Sequence, residues 1–124
     1  MEAKTLEIYN ASKKYQENGK RGMMAVQVRS EKYPDRWEST IHAFGMTYTG
    51  GFSFDTTIHE KIAYVHRTGK NSGAPKEEVV GTESYWTGAV ISADGNCICA
   101  FSGFEGNDDV LIAETGIAEY NRLK

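Results

Sequence analysis

The sequence predicts an α+β fold in which a single antiparallel sheet is flanked by helices. Three observations carry this. Helical and alternating hydrophobic patterns interleave along the chain in the order helix, hairpin, helix, hairpin, helix. Each strand pair is joined by a short connection, which makes the pairing antiparallel, and helices interleaved with hairpins pack on one sheet rather than building a doubly wound nucleotide fold. The 124 residues, 40% hydrophobic and 25% charged, suffice for one core and are too few for two, so residues 1–124 form one domain.

The first helix is expected over Thr5 to Asn18, where Ile8, Ala11, Ser12 and Tyr15 share a face and Asn18-Gly19 supplies the stop. Met23 to Arg29 and Trp37 to Phe44 alternate as strands about a Tyr33-Pro34-Asp35 turn. Asp55, Thr56 and Thr57 are candidate N-caps, and Thr57-Ile58-His59-Glu60 has the spacing of a capping box. A second helix should run from about Thr56 to His66, bury Ile58, Ile62 and Val65, and stop before Gly69. Asn71 to Glu78 is a loop by composition. The runs Trp86 to Ser92 and Cys97 to Ser102 flank Ala93-Asp94-Gly95-Asn96, an Asp-Gly hairpin signal. The third helix should start near Asn107-Asp108-Asp109 and bury Val110, Ala113, Ile117 and Tyr120. No internal repeat is present.

Composition narrows the function. Lys and Arg number 14 and Asp and Glu 17, a mixed surface of net charge -3 that lacks the basic face of an electrostatic nucleic-acid binder. No apolar run approaches the roughly 18 to 20 residues that span a bilayer. Acids fall in Met1 to Glu7 where a secretory signal has a basic and then an apolar region, so a cytoplasmic location and no membrane partner are expected. Cys97 and Cys99 are two apart on one strand, point to one face and are poorly placed for a mutual disulfide; buried thiols are the preferred reading.

The connector Ser102-Gly103-Phe104-Glu105-Gly106 invites comparison with a phosphate cradle. Such a cradle needs free N–H groups and a field that welcomes negative charge, whereas Glu105, Asp108 and Asp109 occupy this helix start and would repel phosphate. Neither GxGxxG nor GxxxxGK[ST] is present. The connector is therefore read as structural: Gly103 and Gly106 make the turn, Asp109 caps, and Gly116 lets the helix sit close to the sheet.

The same residues carry a resemblance. Ser102-Gly103, a short connector, Asp109 and then Ala113-Glu114-Thr115-Gly116-Ile117 resemble the C-terminal signature of the GlcG/HbpS-like family, which includes haem-binding proteins and the C-terminal domain of PduO-type proteins. The Gly88-to-Phe101 hairpin and the helix carrying Lys61-Ile62-Ala63-Tyr64 fall in the expected order. The resemblance implies a profilin-like fold, a homo-oligomer, and an accessory role linked to haem, cobalamin or small metabolites. Relatives that ligate haem through the first helix carry a histidine there; residues 5–18 have none.

Candidate ligands are therefore sought elsewhere. The only histidines are His42, His59 and His66. His59 and His66 share a helix flank but lie about 10 Å apart at roughly 1.5 Å rise per residue, too far to chelate one ion, although one alone suffices as an axial haem ligand. His42 faces opposite to Ile41 and Ala43 and is open to core, interface or ligand roles. Ser39 to Phe54 has no Asp, Glu, Lys or Arg and is rich in Phe, Tyr, Met and Gly; with Phe44 and Tyr48 it is suited to core, subunit interface or ligand pocket. Ser102 lacks a GxSxG setting and a base, and acids at Glu105, Asp108 and Asp109 are better read as helix caps than as cation ligands, so no catalytic residue and no metal site is assigned. The leading expectation is a non-enzymatic homo-oligomer that binds haem, a corrinoid or another small organic ligand. An enzyme acting on a small metabolite and a protein-interaction module are the alternatives.

Overall fold

The structure is a computed structural model that describes residues 1–124. Helices α1 (Glu2–Ala11) and α2 (Lys13–Asn18) open the chain, followed by β1 (Met23–Arg29), β2 (Trp37–Ala43), a small ribbon of β3 (Tyr48–Thr49) and β4 (Phe52–Ser53), and α3 (Phe54–Thr68). A single 3-10 turn (Lys76–Glu78), β5 (Ala89–Ile91), β6 (Cys97–Ser102) and α4 (Gly106–Leu123) complete it. The main sheet has the order β2-β1-β6-β5 and is antiparallel throughout, so the expected α+β arrangement of one sheet flanked by helices is present. No helix is long and apolar enough to cross a membrane.

The period of two in β1 divides the protein into two cores. Met23 and Ala25 face α3, where Phe54, Ile58, Ile62 and Val65 close over them together with Ala89, Ile98 and Ala100. Burying each large aliphatic side chain here contributes about 1.5 to 3 kcal/mol. Met24 faces the other way, into a cluster with Phe44, Phe101 and Ile112; beside it Val90, Cys97, Cys99 and Ala113 form the contact between sheet and α4. The expected α4 stripe is present, with Val110, Ile117 and Tyr120 half-buried, but Ile112 and Ala113 are the residues fully buried. Gly116 sits where an added Cβ would fall 2.6 Å from Cys99 Sγ, which is the close approach its position suggested.

Several boundaries differ from expectation for physical reasons. The single N-terminal helix is broken at Ser12, whose extended backbone ends α1 and whose hydroxyl accepts the Tyr15 N–H to start α2. The break brings Tyr15 inward: its hydroxyl donates to Asp108 (2.6 Å), accepts from the Glu105 N–H (3.0 Å), and its ring stacks on Phe104. The N-cap of α3 is Ser53, which accepts the Thr56 N–H, rather than Asp55, Thr56 or Thr57. Those three residues instead form the first turn, and Gly69 ends the helix in the left-handed conformation. Strand β5 starts at Ala89, three residues later than expected, because the chain up to Gly88 turns over the buried Lys61. Gly106 is the first helical residue of α4 rather than part of the turn; a Cβ there would meet the Thr87 hydroxyl at 2.5 Å.

Candidate functional site

Strand β2 lies at the edge of the sheet and α4 packs on β6 and β5, so the β1–β2 half of that face is covered only at its Met24 and Phe44 end, by Ile8 and Tyr9 of α1. The result is an open groove of about 560 Å³. Its floor is Met24, Val26 and Val28, which alternate onto this face of β1. Thr40 and His42 of β2 form one rim; Tyr120 and Leu123 from the last turn of α4 form the other, and Met1 and Glu2 close one end. The site is therefore made by a strand periodicity and by where one helix stops.

The rims are polar. His42 is 57% exposed and its Nε2 stands 3.9 Å from a Glu2 carboxylate oxygen. Tyr120 donates to Asp94 at 2.7 Å, and Lys124 reaches the same carboxylate at 3.3 Å. The Ser92 hydroxyl, the Asn96 N–H and Tyr120 hold the Asp94 carboxyl well below the usual range. The bond to Asp94 in turn pushes the Tyr120 hydroxyl up to about 12. These bonds fix the end of α4 against the β5–β6 turn and so set the groove's width.

The candidate residues separate in space. His42 alone among the histidines lines the groove. His66 lies on the α3 side, hydrogen-bonded to Gln27 (2.7 Å) and edge-on to Trp37; burial, then the Arg29 charge, lowers its pKa. His59 faces a shallow depression with Asp55 and Glu60, and its ring nitrogen lies 2.8 Å from the Asp55 carbonyl. Phe44 is a core residue packed edge-on to Tyr9 and Phe104, and Tyr48 is an exposed residue of the ribbon. The segment Ser39 to Phe54 thus has mixed fates: Phe44 and Phe54 are core, and most of the remainder is surface. No group of three or more His, Cys, Asp or Glu side chains is placed to hold a metal ion. Cys97 and Cys99 are fully buried free thiols with sulfurs 3.9 Å apart.

Sequence reasoning missed one feature beneath the opposite end of the fold. Lys61 is fully buried and donates to Asp109 (3.2 Å) and to the Phe101 carbonyl (2.9 Å). Asp109 also accepts the Phe104 N–H at 3.0 Å. It therefore ties α3, the β6 end and its connector together instead of capping the helix as expected, since the N-cap position is Glu105 and no side chain caps the start of α4. Burial pushes the Asp109 carboxyl up and the Lys61 ammonium down, while their mutual attraction opposes both shifts. A signal existed: Ile58, Lys61, Ile62 and Val65 stand at i, i+3, i+4 and i+7, which places a lysine on the apolar stripe.

The groove offers an apolar floor, one imidazole, two carboxylates and an ammonium, with no nucleophile and base in hydrogen-bond reach of each other. It is suited to holding a flat apolar molecule. His42 exposes its imidazole on one rim, and Lys124, bonded to Asp94, lies at the opposite one. Fold and groove together define a single-sheet α+β protein with an open, apolar groove on one face. No protein-family model, curated protein or solved structure matches the chain.

Proposed function

We propose that this chain is a non-catalytic binding protein for a flat, largely apolar organic ligand of the tetrapyrrole class, haem or a corrinoid, and that it acts as a homo-oligomer. The observation that carries the reading is the groove of about 560 Å³ with His42 on its rim, a volume within the ~300 to 1,000 Å³ common for small-molecule sites. The resemblance of the C-terminal signature supports the same ligand class. The edge strand β2, uncharged from Ser39 to Ala43 and exposed there, supports association through paired edges.

Haemin titration followed by absorbance tests the ligand, with His42→Ala, His59→Ala and His66→Ala compared. A saturable shifted Soret band that His42→Ala alone abolishes is the expected result. No saturable shift in the wild type, or an equal shift in the His42 variant, overturns the assignment. Light scattering on the eluting protein tests the homo-oligomer, and a mass of one 13.8 kDa chain would refute it.

A further inference from the structure

A second cavity, of about 250 Å³, lies where the β3–β4 ribbon and Trp86 meet the β6–α4 connector. We propose that it binds a small organic carboxylate carried on a single planar ring. The inference is independent of the groove and of the tetrapyrrole assignment.

The walls are aromatic. Phe52 stacks on Trp86 with ring centres 5.8 Å apart, and meets Phe54 edge-on at 5.4 Å; Phe104 completes the enclosure. Phe52 is 36% and Trp86 48% exposed, so part of each ring stays open to a ligand.

The polar lining includes one cation with no acidic partner. The Arg21 guanidinium lies over the Phe54 ring at 5.9 Å and makes no ion pair or side-chain hydrogen bond. Arg67 and Arg122, by contrast, each hold a glutamate. Thr49 and Ser102 line the same space, and neither hydroxyl is hydrogen-bonded to another side chain. A guanidinium and two hydroxyls facing one volume match the two oxygens of a carboxylate, which a planar guanidinium can hold by paired hydrogen bonds. The one acid in the lining, Asp109, has its carboxylate engaged by Lys61 and the Phe104 N–H. With Asp109 bound to the buried Lys61 behind it, Arg21 is the one charged group of the lining without a charged partner.

Size and charge narrow the class. The cavity falls below the ~300 Å³ lower bound usual for drug-sized ligands, so it admits one ring and not a macrocycle. Glu105 and Asp108 stand at the adjoining start of α4 and disfavour a phosphate dianion more than a carboxylate monoanion.

Phenylacetate is the probe, titrated into the full chain and followed by two-dimensional amide NMR. Saturable shifts at Arg21, Thr49, Trp86 and Ser102 to Phe104 are expected. Phenylacetamide, the neutral isostere, and Arg21→Gln are each expected to weaken binding by about tenfold or more. Arg21→Lys keeps charge and stem, guards against loss of fold, and should also weaken binding because the fork is gone; His42→Ala should leave it unchanged. No saturation by about 10 mM, shifts that map to Val26 and His42, or equal binding by wild type and both Arg21 variants would overturn the proposal. Inorganic phosphate displacing phenylacetate at equal affinity would overturn the carboxylate assignment.

Discussion

Replacing Lys61 with methionine should expose what the buried ion pair does. The substitution roughly conserves volume, so the cavity contribution is small and the electrostatic consequence dominates. It leaves Asp109 about as buried as before, with the Phe104 N–H as its remaining donor, and strips a partner from the Phe101 carbonyl. Breaking a buried pair on one side typically costs about 3 to 5 kcal/mol. Burial already raises the folded wild-type carboxyl to about 7, and loss of the Lys61 ammonium, which opposes that shift, raises it further. The sign follows: a raised carboxyl makes stability fall as pH rises, both proteins fall together between pH 5 and 7, and the variant's deficit grows only as the wild type ionises near and above pH 7. Urea unfolding of wild type, Lys61→Met and Lys61→Met/Asp109→Leu at about pH 5 and about pH 8 measures it. The single variant should lose about 3 to 5 kcal/mol at the higher pH and less at the lower one, and the double variant should be closer to wild type than the single one at the higher pH. A deficit below about 1 kcal/mol that does not change with pH would refute the reasoning.

Gly88→Ala should destabilise by about 2 kcal/mol or more, because φ is +126° and the new Cβ would lie 2.7 Å from both Lys61 Nζ and the Phe101 carbonyl; thermal unfolding reports it. The Tyr120 hydroxyl, pushed up to about 12 by Asp94, keeps its proton in the folded state after the unfolded chain has lost it near its ordinary value of about 10. Stability should therefore decline between about pH 10 and 12, and Tyr120→Phe should flatten that slope in urea unfolding across the range. Val28→Ala, on the half-open groove floor, should cost about 1 kcal/mol or less, whereas Ile98→Ala in the dry core under α3 should cost about 2 to 5 kcal/mol, as compared by denaturation midpoints.

The sheet was legible because period-two alternation and turn chemistry are local. Met23 to Arg29 matches its strand, and Asp94-Gly95 closes its hairpin. Helix starts were less so. Ser53 competes with Asp55, Thr56 and Thr57 as a cap, all four have suitable oxygens, and the choice is decided by how Phe54 enters the core, a tertiary contact. The break at Ser12 was hidden for the same reason: its neighbours continue a helical pattern, and the bend is stabilised by Tyr15 reaching Asp108, 93 residues away. The groove could not be read from the sequence because it depends on which strands α4 crosses. His42 could be named as a candidate, but its place on the rim follows from β2 being an edge strand.

The two faces of the sheet differ in how completely they are sealed. Alternate residues of β1 go to opposite fates: Ala25 is sealed beneath α3, while Val26 and Val28 lie half-buried beneath no helix. Closing that half of the sheet would bury more apolar surface, at about 25 cal/mol per Å², so an uncovered floor forgoes stability that a helix could supply. The α3 face, with its dry core and tethered ion pair, can sustain that loss, and the hydrogen bonds of Tyr120 and Lys124 to Asp94 keep α4 from drifting over the gap. An apolar half-face held open by a bonded helix end is therefore a consistent feature of this architecture, and the residues of that floor are ones whose truncation the fold tolerates better than truncation in the α3 core.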